Sequence, residues 1–198
     1  MLQVIIFDAD GVLVHGKRRF SVFLAEEHGI PLEKTLPFFE GPFQDCLVGK
    51  ADLKKALLPY LKDWGWKKGV ETFLEYWFRL ESETDQDLIE YVRELKRGGI
   101  KCFLATNNEK YRFEYMLDKM GFSHVFDKTY ASAHLGKQKT DLKFFEKVLK
   151  DLKDVSKKEI LFVDDDPENI KTAKKFGLQT ELFTSLKDLR KKVALLGR

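Results

Sequence analysis

Four short segments carry the residues able to do chemistry: Asp8-Ala9-Asp10-Gly11-Val12, Thr106-Asn107-Asn108, Gly136-Lys137-Gln138-Lys139 and Asp164-Asp165-Asp166. Three of them directly follow short apolar runs, Val4–Phe7, Ile100–Ala105 and Ile160–Val163, and the fourth precedes an apolar helical stripe. Taken singly, each has a plainer use. An Asp after a strand is commonly an Asx-turn or a helix cap, and a lone lysine is usually a solvated one. Asp166-Pro167 reads as such a cap, with proline at the first helical position, and Thr106 or Asn108 could cap the helix that follows them. Together the segments ask for more. Asp8, Asp10, Asp164 and Asp165 repel one another if their strands are neighbours, so a compensating charge is needed. A hard divalent cation, magnesium, with Lys139 as a second positive charge, is the economical answer.

The runs that deliver these residues look like strands buried on both faces of a parallel sheet. Leu178–Phe183 is a weaker fourth run, and a fifth strand is expected near Lys128–Ala131. Between them lie apolar stripes at helical spacing: Leu88, Ile89, Val92 and Leu95 before Gly98-Gly99; Phe113, Met116, Leu117 and Met120 before Gly121; Phe144, Phe145, Val148 and Leu149; and Ile170, Ala173 and Phe176 before Gly177. Strand and helix alternate from about residue 85 onward, which predicts an α/β fold with a Rossmann-like doubly wound parallel sheet. Ligands of such sheets sit at the carboxyl ends of the strands, where the four segments fall.

No strand pattern occurs from 16 to 83. That stretch reads as helices over Phe20–His28, Ala51–Leu61 and Val70–Leu80, interrupted at Pro31, Pro37, Gly41-Pro42 and Gly49. It is too long for an ordinary crossover. The expected organisation is therefore a catalytic core of 1–15 and 84–198 with a small all-helical cap, 16–83, inserted after the first strand. The cap's many aromatics, among them Phe20, Phe23, Trp64, Trp66, Phe73, Tyr76, Trp77 and Phe78, are better read as its core than as a stacking platform, since Phe73, Tyr76, Trp77 and Leu80 recur at helical spacing. Lys17, Arg18 and Arg19 could steer an anion or form a solvated charge run.

In order and position the four segments resemble the motifs of the haloacid dehalogenase-like hydrolase superfamily, with the helical insertion where that family places its cap. The resemblance implies Asp8 as the nucleophile that forms an aspartyl-phosphate, and Asp10 as general acid and then base. It implies Mg2+ held by Asp8, Asp10 and Asp165, with Asp164 a direct or water-mediated ligand. Thr106 and Asn107, with backbone N–H groups near Gly11, would hold phosphoryl oxygens, and Lys139 would balance the charge. Asp10 points to the phosphatase branch, because dehalogenation needs no leaving-group proton. Ala9 and Thr140 depart from the commoner residues of the motifs without removing a functional group. In the cap, Gln44 and Lys50 are candidate substrate contacts. Gly49-Lys50-Ala51-Asp52-Leu53 is similar to the cap segment of glucose-1-phosphate phosphatases and of the phosphatase domain of soluble epoxide hydrolase.

The expected substrate is thus a small phosphorylated metabolite, a sugar phosphate among the candidates. A phosphomutase of the β-phosphoglucomutase type and a non-catalytic phospho-ligand-binding protein are the competing readings. The bulk numbers agree with a soluble enzyme: 43% hydrophobic and 34% charged residues, with a net charge of +3 and interspersed signs. A nucleic-acid partner would call for a basic stripe, and no run approaches a membrane span. Cys46 and Cys102 have neither disulfide nor metal spacing, and Cys102 reads as a buried hydrophobe. A cytoplasmic monomer or homodimer without a signal segment is expected.

Overall fold

The computed structural model describes residues 1–15, 19–152 and 154–197. Five strands, β1 (Val4–Phe7), β2 (Lys101–Thr106), β3 (Lys128–Ala131), β4 (Ile160–Asp164) and β5 (Gln179–Leu182), form one sheet in the order β3-β2-β1-β4-β5. Every pairing is parallel. β1 lies at the centre, with Phe7 opposite Leu104 on one side and Val163 on the other, so the residues after β1, β2 and β4 emerge together.

Five helices follow β1: α1 (Phe20–His28), α2 (Leu32–Glu40), α3 (Pro42–Leu47), α4 (Leu53–Trp64) and α5 (Val70–Leu80). The remaining helices alternate with or follow the other strands: α6 (Gln86–Arg97), α7 (Lys110–Asp118), α8 (Phe122–Val125), α9 (Ser132–Leu135), α10 (Leu142–Leu149), α11 (Pro167–Phe176) and α12 (Leu186–Leu196). None of the described helices is long and apolar enough to cross a membrane.

Period-two alternation sends the sheet's side chains into two cores. Ile5, Phe7, Leu104 and Val163 face α6, α7, α8 and α12, whereas Val4, Ile6, Phe103 and Phe162 face α10 and α11. Full burial of one such side chain stabilises the fold by roughly 1.5–3 kcal/mol. Cys102 is buried in the first core, and both cysteines are free.

The inserted helices enclose a third core of their own. Phe20, Trp64, Trp66, Phe73, Trp77 and Phe78 are buried in it, and Tyr111 and Tyr115 of α7 pack against it from below. Most of the aromatics of these inserted helices are thus core residues, with Tyr76 packed at the edge of the core. The chain leaves and re-enters the sheet side by side: the His15 N–H donates to the Glu83 carbonyl and the Asp85 N–H to that of Leu13, both at 2.9 Å. Of the three basic residues at this junction, Lys17 and Arg18 lie outside the described residues; Arg19 precedes α1 as its exposed N-cap.

Helix ends follow local chemistry closely. The Asp166 side chain accepts the Glu168 N–H with Pro167 at the first position, and Gly177 closes α11 at φ 101°. Three expectations need correction. Pro37 does not interrupt α2 but lies inside it, as Pro59 lies inside α4, which itself begins and ends later than the expected 51–61. Each proline removes one i→i−4 hydrogen bond, and burial of Thr35 and Phe38 around the first, and of Leu57 and Leu61 around the second, holds the helix regardless. The cap of α7 is neither Thr106 nor Asn108. Glu109 supplies it, accepting the Tyr111 and Arg112 N–H groups at 2.7 and 2.6 Å.

Candidate active site

Asp8 follows β1 directly, and its N–H donates to the Val163 carbonyl at 2.9 Å, which ties it to β4. Its carboxylate is buried, and Oδ1 accepts the Ala9 N–H at 2.7 Å and lies 2.6 Å from Lys139 Nζ. The same Nζ donates to Asp164 Oδ2 at 2.7 Å. Lys139 is itself only 1% exposed, so its four-carbon stem runs through the interior to place one ammonium between two acids. The loop before α10 is held there by the Lys139 N–H, which donates to Asn107 Oδ1 at 2.9 Å.

Asp164 closes β4 and is fully buried. Its Oδ1 accepts the Asp166 N–H at 2.9 Å and Asn169 Nδ2 at 3.1 Å. Asp165, the next residue, turns outward. One carboxylate oxygen from each of Asp8, Asp164 and Asp165 lies within 4.8 Å of the others. Gly11 makes this closeness possible. At φ 85° it adopts a left-handed conformation, and a Cβ there would stand 2.0 Å from Asp165 Oδ2.

Charge in this cluster is unbalanced. Burial pushes the Asp8 carboxyl up to about 8, against the lowering effect of Lys139 and with a further rise from Asp164. Burial raises Asp165 as well, together with the negative Asp164 beside it. Burial alone would pull the Lys139 ammonium down, but Asp8 and Asp164 outweigh it and hold its pKa above the ordinary value. Three oxygen donors sharing a single ammonium suit a small, hard cation that prefers carboxylate oxygen. Asn169 Oδ1, buried beside Asp164, has no hydrogen-bond partner, the other polar atom at the cluster that still wants one.

Asp10 lies on the opposite wall. Its Oδ2 accepts Asn108 Nδ2 at 2.6 Å, and its Oδ1 is 3.4 Å from Arg112 Nη2. Asn108 Nδ2 also donates to the Oγ1 of buried Thr106 at 2.7 Å, which links the end of β2 to Asp10. Arg112 is buried in α7. It donates to the Phe78 carbonyl at 3.0 Å and to that of Glu81, and it lies against the Phe78 and Tyr115 rings. The acid after β1 and the chain returning from the inserted helices therefore share one guanidinium.

A mouth of about 420 Å³ opens beside this cluster, lined by Asp10, Gly11, Val14, His15, Arg19, Glu81 and Asp165. The expected residues of the four segments thus converge, but the two cap residues do not join them. Gln44 donates its amide to the Phe39 carbonyl at 2.8 Å, and Lys50 extends beside Asp45 at 3.9 Å and lines a separate pocket of about 280 Å³ with Asp52, Glu109 and Tyr111. Asn108 and Arg112 are the additions. Asn108 stood in the Thr106 segment but was read only as a possible cap, and Arg112 gave no sequence signal, being one charge in an amphipathic helix.

A parallel α/β core with helices inserted after β1, and acids, threonine and lysine gathered at its strand ends, defines a hydrolase class. A model of the haloacid dehalogenase-like hydrolases matches residues 2–177, and the chain belongs to that family. Over 95 residues (48% of this chain, 18% of the relative) it is 33% identical to the drimenol cyclase drtB of Aspergillus calidoustus. Over 94 residues it is 36% identical to the sesquiterpene phosphatase astK of Aspergillus oryzae (strain ATCC 42149 / RIB 40), covering 48% of this chain and 47% of that one. The match therefore spans less than half the length of either relative.

Among solved structures, a HAD-like family hydrolase from Porphyromonas gingivalis superposes with a TM-score of 0.81 at 23% identity, over 100% of this chain and 98% of that one. A HAD family enzyme of Bacteroides thetaiotaomicron, solved with magnesium and inorganic phosphate, gives 0.80 at 18% identity, over 96% and 99%. At these identities the likeness establishes the fold.

Proposed function

We propose that the chain is a magnesium-dependent phosphatase that hydrolyses a small phosphate monoester through an aspartyl-phosphate on Asp8. The observation that carries this is the Asp8 carboxylate, 2.6 Å from Lys139 and within 4.8 Å of the Asp164 and Asp165 oxygens. Family membership and the similarity to a sesquiterpene phosphatase support it.

Magnesium, held by Asp8, Asp165 and Asp164 with the Asp10 backbone, would neutralise the phosphate's charge as the anionic nucleophile approaches. The chain's own groups do the rest. An Asp8 oxygen forms a bond to phosphorus as the ester P–O bond breaks, and the bonding pair leaves with the alcohol oxygen. Asp10 gives that oxygen a proton, then takes one from the water whose oxygen bonds to phosphorus as the Asp8 O–P bond breaks, which regenerates the Asp8 carboxylate and releases inorganic phosphate. Lys139 works against the burial that raises Asp8, and so favours the ionised nucleophile, as a bound cation would further. Asn108 and Arg112 aim the Asp10 carboxyl. Thr106 and Asn107 would offer donors to the phosphoryl oxygens, whereas the Gly11 N–H is already given to the Val14 carbonyl at 2.9 Å. The inserted helices, 16–83, act as a cap over the mouth, with Arg19 and Glu81 on its rim.

Two leaving groups compete. A sugar is suggested by the Gly49–Leu53 segment, and an apolar alcohol by the 36%-identical sesquiterpene phosphatase. The chemistry itself is tested first. With magnesium, the purified protein should release phosphate from an aryl phosphate, and Asp8→Asn should lose this activity while keeping its circular dichroism spectrum. Undiminished release by that variant would reject Asp8 as the nucleophile.

A further inference from the structure

Beside the polar mouth lies a largely apolar groove of about 270 Å³, walled by Phe20, Leu32, Leu36, Phe39 and Trp77 with Ser21 as its one hydroxyl. The two hollows meet. Arg19 and Glu81 line both of them. The Glu81 carboxylate is fastened at this junction, because Oε1 accepts the Phe20 N–H at 3.1 Å and Oε2 accepts the Trp77 indole N–H at 2.8 Å. With its oxygens turned to these donors, the acid lines the passage where the hollows meet and offers little repulsion that is not already answered by a donor.

Groove and core are distinct on α2. Thr35 and Phe38 face inward and are fully buried. Leu32 and Leu36, one helical turn apart, face the groove at 47% and 36% exposure. The floor opposite them is rigid. Phe20 stacks on Trp77 at 4.7 Å between centroids, and Phe39 meets both rings edge-on at 5.6 and 5.4 Å. A fixed aromatic floor, two exposed leucines and a charged mouth at one end match a molecule that is anionic at one end and apolar along the rest.

We infer that the groove holds the hydrocarbon part of the substrate, which is therefore the phosphate monoester of an apolar alcohol and not a sugar phosphate. This rests on the phosphatase reading for the phosphate's place in the mouth. Of the two hollows, the groove is the one that would distinguish one alcohol from another. Past Arg19 and Glu81 at the junction, a sugar's hydroxyls would meet one side-chain hydroxyl, that of Ser21, on a wall otherwise made of Phe20, Leu32, Leu36, Phe39 and Trp77. Most of their lost water would go unreplaced and oppose binding.

The experiment separates groove from chemistry. Phosphate release is measured with magnesium on propyl, hexyl and decyl phosphates, kept below the concentrations at which they self-associate. In parallel, the matching alkylphosphonates, which cannot be hydrolysed, are titrated calorimetrically. Affinity should rise about twofold to fourfold per added methylene until the groove is full, with an increasingly negative heat-capacity change. Leu36→Gln should reduce the decyl-to-propyl ratio about tenfold, and Leu195→Gln, a 68%-exposed position on α12, should leave that ratio as in the wild type. Phosphonates whose affinity does not depend on chain length, or equal ratios in the two variants, overturn the groove. Chain-length-dependent binding without phosphate release from any ester upholds the groove and rejects the phosphatase reading alone.

Discussion

Lys139 Nζ stands 2.6 Å from Asp8 Oδ1, with both side chains enclosed by protein, and the same nitrogen reaches Asp164 Oδ2 at 2.7 Å. One ammonium therefore compensates two buried acids from two different strands. Lys139→Met fills nearly the same volume and leaves both acids without it. In metal-free protein, urea denaturation should give a loss of about 3–5 kcal/mol, the usual consequence of stripping one partner from a buried pair. Adding Asp8→Asn should restore part of that loss. Additive effects of the two substitutions would show that the pair does not interact.

Arg112 ties Asp10 to the segment returning from the inserted helices, through the Phe78 and Glu81 carbonyls. Arg112→Lys keeps the charge but cannot span three acceptors from one planar fork. It should lower kcat roughly tenfold to a hundredfold on alkyl phosphates, whose leaving oxygen needs a proton. The effect on an aryl phosphate with a strongly acidic phenol should be much smaller. An equal loss on both would assign Arg112 a purely structural part.

Among the described residues, Gly11 is the glycine whose lack of a side chain leaves Asp165 where it is, since a Cβ would come within 2.0 Å of Oδ2. Gly11→Ala should therefore displace Asp165 and weaken magnesium binding at least about tenfold, as outer supports of ligands typically do. Titration calorimetry on the resting protein reads this without turnover. Unaltered affinity would remove Asp165 from the cation site.

Glu109 is a buried acid outside the cluster. Burial pushes it up from its ordinary 4.5 to about 7, although the Tyr111 and Arg112 N–H groups oppose the rise. Between those values the folded chain holds more protons at Glu109 than the unfolded one. Stability therefore falls as pH rises through that window, by at most about 3 kcal/mol, and levels off above it. Glu109→Gln is uncharged at every pH and keeps one amide oxygen to accept one of the two N–H groups. Its stability should gain on the wild type from about pH 5 to about pH 8 in parallel denaturations. Parallel pH curves for the two proteins would contradict a raised Glu109.

Much of this architecture is legible locally. The runs Val4–Phe7 and Ile160–Val163 are strands, and Phe20–His28 and Val70–Leu80 are helices with the expected bounds. Asp166-Pro167 caps α11 because an Asx oxygen and a residue lacking N–H suit those two positions whatever surrounds them. Pro37 misled for the opposite reason. Its local preference to break a helix is overridden by the packing of α2 on both sides of it. Gln44 and Lys50 were singled out by their breaker-rich surroundings, which say that a chain turns but not toward what.

From the order of residues alone, one could know that Asp8, Asp10, Thr106, Lys139, Asp164 and Asp165 end at strand termini or in a loop before a helix. Apolar periodicity and turn chemistry are local and survive without a fold. Which of these groups meet is decided by β1 lying between β2 and β4, a pairing of residues about a hundred and more positions apart. The same nonlocal packing sends Arg112 to Asp10 and opens the groove of Leu32 and Leu36 onto the mouth. Contacts of that kind arise from burial of whole faces against one another, and a face has no partner until the chain has closed on itself.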